Sequence, residues 1–313
     1  MKPYIFSICI PTWNRRDYLG KLLESISHQI AGDRDFQVVI ADNNSSDGTH
    51  LEVFKYHEKL NIKYLRRDQN IGAMLNLVSV VNEGDGQYCI LSGDDDIFRD
   101  GWLQLLKALV SQYCPDVVVS NRFICDIEMN VRSLEQCGPV VEAPQLFQCR
   151  LPGVLLEYLK NTVSTSGFGF LSNLVIRHDA WTQAVDCEYV NRHPFAHMIK
   201  IMDIMANHEG SILRVPIETT FARTGNDRLE EMIRKPDASD FDKLMVHLGG
   251  FLTAAEFIFS NSPDLKSALL APINRIFSAE YRNYFPRYAE AFGKKEEAER
   301  FVIGLDRALG VRI

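Results

Sequence analysis

Leu91-Ser92-Gly93-Asp94-Asp95-Asp96 ends an apolar run over residues 88–91 in three adjacent carboxylates. Like charges held side by side repel, and a fold accommodates them where water, a cation or a positive partner offsets the repulsion. Carboxylate oxygens at the end of a buried strand suit a hard divalent ion such as Mg²⁺ or Mn²⁺, which is commonly shared with substrate phosphates. An acidic turn capping a helix that starts near Gly101 would use the same residues with no ion. The stretches upstream favour the ion.

Residues 4–10 are short, β-branched and nearly all apolar, the composition of a strand buried on both faces, and Pro11 ends it. Tyr18, Leu19, Leu22, Leu23 and Ile26 then recur at helical spacing. A second buried strand over 36–41 runs into Asp42-Asn43-Asn44-Ser45-Ser46-Asp47-Gly48-Thr49, a loop of turn formers and N-cap residues. A helix to about residue 60, a strand over 62–65, a loop over 66–70 and a helix carrying Met74, Leu75, Leu77, Val78 and Val81 precede the strand that ends in the acidic cluster. This rhythm predicts a mostly parallel α/β sheet wrapped by helices, with ligands at the carboxyl ends of its strands. Four polar loops collect there. They hold Pro11, Thr12 and Asn14; Asp42; Asn70; and Asp94, Asp95 and Asp96.

The turn after the first strand, Pro11-Thr12-Trp13-Asn14-Arg15, has no glycine, so neither the dinucleotide fingerprint nor a phosphate-cradling Gly-Lys-Ser/Thr loop is present. The loop from Asn43 follows a calcium loop for six positions, but Phe54 stands where the twelfth needs a bidentate Glu. No Gly-x-Ser-x-Gly elbow supports a serine hydrolase.

Ser7-Ile8-Cys9-Ile10-Pro11-Thr12-Trp13-Asn14-Arg15, then Val39-Ile40-Ala41 with the loop Asp42 to Thr49, then Leu91 to Asp96 resemble the three signatures of family 2 glycosyltransferases of the GT-A fold. The resemblance covers residues 4 to about 125 and thins afterwards. It implies transfer of a sugar from a nucleotide diphosphate donor to an acceptor hydroxyl, usually with inversion and with Mn²⁺ or Mg²⁺. Pro11 and Thr12 would line the nucleoside pocket, with Asn14 and Asn70 in the flanking donor loops, and Asp42 would hydrogen-bond the base or its ribose. Asp94 and Asp95 match the acidic pair of the family's D-x-D-D pattern, whose first acid is replaced here by Ser92. Asp96 is an extra acid, so the metal could fall to Asp94, Asp95 or Asp96, with Asp95 also assigned to catalysis. The Gly-Asp-Asp-Asp form and the Phe195-Ala196-His197 segment look closest to abequosyltransferase-like members.

A leaving nucleoside diphosphate gains charge that a metal stabilises, and the attacking hydroxyl needs a base. The resemblance puts that base at the start of the helix before a Gly-containing turn, here Ala196-His197-Met198, which holds no acid. His197, with an unperturbed pKa of about 6.5, is the expected substitute. A packed core histidine is the competing reading. Asp203 falls too deep along the same helix. Arg223, in Phe221-Ala222-Arg223, resembles the family's Tyr-Arg element and would meet the diphosphate; a surface arginine is the competing reading. Trp13 lies in a site loop and could stack on a ligand; Trp102 and Trp181 read as core.

Beyond residue 116 the pattern loosens. Residues 117–120 read as a strand, 123–131 as one joining from the other direction, 135–152 as loop, and 211–216 as an edge strand ending in proline. From Asp240 the chain is helical, with a broad apolar face for core, for pairing two copies, or for resting on a membrane. The division expected is a GT-A domain over 1–235, with 1–125 binding nucleotide sugar and 126–235 the acceptor, and a helical region over 236–313. In 313 residues the net charge is −7, against general affinity for nucleic acid. Seven cysteines without a C-x-x-C pair, no apolar leader and no bilayer-length apolar run predict a cytoplasmic protein, peripheral at most at the inner face of the membrane. The partners expected are a nucleotide diphosphate sugar and a glycan or lipid-linked saccharide of bacterial surface polysaccharide. Two rivals fit part of the same residues. A catalytically inactive nucleotide-sugar-binding scaffold would explain the missing acids, and a sugar nucleotidyltransferase shares the sheet but needs a glycine- and basic-rich first loop that is absent.

Overall fold

β1 (Tyr4–Thr12) sits between β2 (Phe36–Asp42) and β4 (Gly86–Leu91), parallel to both, and β3 (Ile62–Arg66) lies outside β2. The structure, a computed structural model, describes residues 2–224, 238–276 and 279–309. Because side chains alternate across a strand, the continuous apolar runs of β1, β2 and β4 feed two cores at once. Ile8, Ile10, Val38, Ile40 and Ile90 pack with α1 (Arg16–Ile30) on one face. Cys9, Val39, Ala41, Cys89 and Leu91 pack with α3 (Ala73–Asn82) on the other.

The chain leaves β1 towards β2 and β3, then returns to place β4 on the opposite side of β1. This reversal of strand order opens a crevice between the ends of β1 and β4. The loop after Thr12 and the acidic loop after Leu91 therefore face each other.

The later strands are β5 (Ile97–Phe98), β6 (Val117–Cys125), β7 (Val131–Glu135), β8 (Gln145–Gln148), β9 (Leu174–Arg177) and β10 (Ser211–Arg223). Among the described residues the strands form one ten-stranded sheet, in the order β3-β2-β1-β4-β9-β6-β10-β5, with β7 paired to β6 and β8 to β10. The expected parallel arrangement holds for β1 to β4. The second half is mixed, since β9 (Leu174–Arg177) runs antiparallel to both β4 and β6 (Val117–Cys125). Several local expectations are corrected. Residues 123–125 complete β6; this end of β6 pairs antiparallel with β7 (Val131–Glu135), after a turn in which Asp126 Oδ1 accepts the Asn130 N–H at 2.8 Å. The expected loop over 135–152 contains β8 (Gln145–Gln148), and the second helix, α2, is only Thr49–Phe54. The strand expected to end at Pro216 continues as β10 (Ser211–Arg223), an interior strand beside β6. Its register shifts between Val215 and Glu218, where the missing proline N–H interrupts no regular ladder.

β5 (Ile97–Phe98) pairs with the far end of β10, so Phe221 stands beside Ile97, next to Asp96. This carries Arg223, 127 residues downstream, to the acidic loop. Beyond the strands, α6 (Ser166–Gly169) and α9 (Ala196–Asn207) cover the core on the α3 side of the sheet. The C-terminal helices Ala238–Ile258, Pro263–Ile276, Ala279–Glu290 and Lys295–Ala308 add Leu248, Phe251, Leu252, Ile273, Phe285 and Leu305 to that core. Their apolar face is thus largely used internally. The expected boundary at 235/236 lies outside the described residues, and no helix among them is long and apolar enough to cross a membrane.

Candidate active site

The loops at the carboxyl ends of the strands are fastened to one another by side chains. Asn14 adopts a left-handed backbone at φ +53°, which asparagine tolerates better than most residues. Its N–H donates to Ser45 Oγ at 2.9 Å and its Oδ1 accepts the Ser46 N–H at 2.8 Å. Asn70 Oδ1 accepts from Asn43 Nδ2 and from the Gly72 N–H, both at 2.8 Å. The side-chain carbonyls of Asn14 and Asn70, both expected in the donor loops, hold loop to loop. Asp42 pairs in register with Thr12 and is buried; its Oδ1 accepts the Ser45 N–H at 2.7 Å and its Oδ2 the Tyr64 hydroxyl.

The three aspartates have three different surroundings. Asp94 is buried, with Oδ2 accepting the Thr12 hydroxyl at 2.8 Å and Oδ1 lying 3.6 Å from Arg15 Nη1. Asp95 is partly exposed, and its Oδ2 pairs with the same Arg15 Nη1. Asp96 is buried, with Oδ2 accepting the Ser172 hydroxyl at 2.5 Å and Oδ1 the Arg223 N–H at 3.1 Å. Ser172 Oγ also accepts the Gly93 N–H at 2.8 Å. A Cβ at Gly93 would stand 3.0 Å from Asp96 Oδ2 and 3.3 Å from Asp95 Oδ1, so glycine lets the carboxylates fold back over the turn.

Burial pushes the Asp94 carboxyl up to about 6, against the lowering pull of Thr12 and Arg15. Burial, then the Asp95 charge, pushes Asp96 up to about 7. Between about pH 4 and pH 7 the folded chain therefore keeps protons that unfolded aspartates have released, and the contribution of these two carboxyls to stability falls as pH rises through that window. The thermal midpoint of Asp96→Asn relative to the wild type is expected to rise with pH across the window. Equal slopes would show that Asp96 carries its charge at no cost.

Arg223 completes the site from β10. Its Nε donates to the Asp95 carbonyl at 3.1 Å, its Nη1 to the Ile127 carbonyl, and its guanidinium lies 4.8 Å from the centre of the Tyr18 ring. Its Nη2 is buried and has no hydrogen-bond partner among the described residues. Arg15 flanks the same ring at 5.9 Å. Two guanidiniums and three carboxylates thus meet at the switch point, beside the exposed Trp13.

Two other expectations meet unfavourable geometry. Asp96 is buried and both of its oxygens already accept, from Ser172 and Arg223, so it is less open to a metal than Asp95. His197 is 3 % exposed, its Nε2 lies 3.2 Å from the Gly169 carbonyl, and its ring packs against Phe195. Burial lowers its pKa to about 4. This is the geometry of the packed core histidine, and it speaks against His197 as the base. Asp203 is buried on the same helix, accepting the Val185 N–H at 2.7 Å. The residues that sequence reasoning missed are Arg15, Tyr18, Tyr64 and Ser172. Arg15 stood in the first signature itself; Ser172, 76 positions from Asp96, has no local signal.

This sheet, with its crevice at the switch point, defines the GT-A class of α/β transferases, and solved structures share it. Staphylococcus aureus TarS, residues 1–349, in complex with UDP-GlcNAc superposes with TM-score 0.65 at 19% identity, covering 98% of this chain and 83% of that one. The mannosyltransferase PcManGT of Pyrobaculum calidifontis, in complex with GDP-Man and Mn²⁺, superposes with TM-score 0.50 at 13% identity, covering 97% and 86%. The glycosyl transferase family 2 profile matches residues 7–171, more than half of the chain, and the chain belongs to that family as a glycosyltransferase. Abequosyltransferase RfbV of Salmonella typhimurium is 27% identical over 272 residues, 84% of this chain and 78% of that protein. The poly(ribitol-phosphate) β-N-acetylglucosaminyltransferase TarS of S. aureus is 30% identical over 115 residues, 36% of this chain and 20% of that protein.

Proposed function

We propose that the chain moves a sugar from a nucleotide diphosphate donor to a hydroxyl of a glycan or lipid-linked acceptor in surface polysaccharide synthesis, with inversion and with the help of a divalent cation. One observation carries the reading: at the switch point, carboxylates able to hold a cation stand directly beside guanidiniums able to hold a diphosphate. The relatives support it. RfbV is named for transfer of abequose, TarS was solved with UDP-GlcNAc, and PcManGT with GDP-Man and Mn²⁺.

Among the described residues no set of three or more His, Cys, Asp or Glu side chains is arranged to hold a metal. The fit is instead with two carboxylates. Oxygens of Asp94 and Asp95 already converge on one cationic nitrogen. Mg²⁺ and Mn²⁺ need no more from the protein where phosphates and water complete their shell. Asp94 and Asp95 would hold the ion, which supplies Lewis-acid stabilisation of the leaving diphosphate.

Asp42, on the floor between β1 and β2, would accept a hydrogen bond from the nucleoside, since each carboxylate oxygen has a second lone pair beyond Ser45 and Tyr64. Pro11 and Thr12 would line the nucleoside side. Arg223 would turn its free Nη2 to the diphosphate. An acceptor on a lipid carrier would be met at the membrane surface, and pairing of two copies through the C-terminal helices belongs to the same proposal. The test is release of nucleoside diphosphate from UDP-, GDP-, CDP- and dTDP-sugars with Mn²⁺. Turnover of one donor class supports the reading, and binding without turnover favours a scaffold.

A further inference from the structure

Arg15 is paired to the same two carboxylates that would hold the cation. A single nitrogen, Nη1, is shared by Asp95 Oδ2 and, at 3.6 Å, Asp94 Oδ1. Its side chain is 46% exposed while that of Asp94 is 11%, so the cation lies on the solvent side of the carboxylates. The backbone is fixed, because Arg15 caps α1 and its carbonyl accepts the Leu19 N–H at 2.9 Å. The guanidinium is held differently from that of Arg223. Arg223 is anchored on two backbone carbonyls; among the described residues Arg15 has only the two carboxylates and the edge of the Tyr18 environment.

We infer that Arg15 is an exchangeable counter-cation: in the donor-free chain it holds Asp94 and Asp95, and when a divalent ion enters with the diphosphate it releases them and turns its fork on the phosphate oxygens. The inference rests on the reading of the acidic loop as the diphosphate site. Two carboxylates and one guanidinium leave a net negative charge, which a divalent ion in place of the guanidinium cancels. A half-exposed ion pair is weak enough to be exchanged. The planar fork, once free, matches a phosphate better than a lysine would. Arg15 and Arg223 would then approach the diphosphate from the two sides of Tyr18.

The test is a Mn²⁺ titration of the donor-free chain, followed by the electron paramagnetic resonance of the free ion, with Asp95→Asn as the control that loses binding. Removing a competing internal cation should tighten Mn²⁺ roughly five-fold in Arg15→Ala and in Arg15→Gln, the gain expected from freeing a partly exposed ion pair. The same variants should bind the nucleoside diphosphate with Mn²⁺ roughly ten-fold more weakly, having lost a charge-assisted phosphate contact. A purely structural arginine could not move the two affinities in opposite directions. Unchanged or weaker Mn²⁺ binding in both variants overturns the inference while leaving the donor site standing. If the wild type binds none of UDP, GDP, CDP and dTDP with Mn²⁺, the donor reading itself fails and takes the inference with it.

Discussion

Asp95→Asn is expected to fold normally and to release nucleoside diphosphate from its donor roughly 10²- to 10³-fold more slowly than the wild type. The size follows from position. Asp95 is the one member of the triplet whose carboxylate is partly open to solvent and paired only to a movable guanidinium. Asparagine keeps its volume and one acceptor oxygen but removes the charge that would hold a divalent ion. Little stability is at stake, because an ion pair this exposed contributes on the order of 1 kcal/mol or less. Donor turnover and thermal midpoint measured together check the claim. A variant with wild-type turnover would remove Asp95 from the chemistry.

Arg223→Met is expected to lower kcat/KM for the donor by about 10³-fold, through the loss of positive charge where the diphosphate gathers negative charge. Unlike an arginine satisfied by its surroundings, Arg223 keeps a buried Nη2 without a partner among the described residues, and an unmet buried donor is costly unless a ligand meets it. Methionine keeps an apolar stem but loses the guanidinium over Tyr18 and its bonds to the Asp95 and Ile127 carbonyls. A modest fall in the midpoint is therefore expected as well. Arg223→Lys separates the effects: it restores the charge but not the fork, and should recover only part of the turnover. Full activity in Arg223→Met would mean that its bonds only close the loops.

The parallel half of the fold was legible because β1, β2 and β4 are buried on both faces and so read as unbroken apolar runs, each ending abruptly in turn formers. Their order also gave the four loops that meet. The mixed half was harder: β8 and β9 are four residues each, too short for periodicity to register. α9 misled for a different reason. It is buried all round from Ala196 to Met205, so it offers no polar face against which His197 could be recognised as inward. Within the acidic loop, adjacent aspartates are equivalent in sequence. Only Thr12, Arg15 and Ser172, from distant stretches, distinguish a half-open carboxylate from a buried strut.

In the proposed function this crevice binds a nucleoside diphosphate through a divalent ion on the acidic loop. Thermal midpoints with UDP, GDP, CDP and dTDP, each with and without Mn²⁺, test it without needing the acceptor. A ligand at a hundred times its Kd stabilises by about 2.7 kcal/mol, ample for a shift of the midpoint. The expected result is a rise with one nucleotide class that requires Mn²⁺ and disappears in Asp95→Asn. No rise with any of the four, or a rise indifferent to Mn²⁺ and to Asp95, would contradict it.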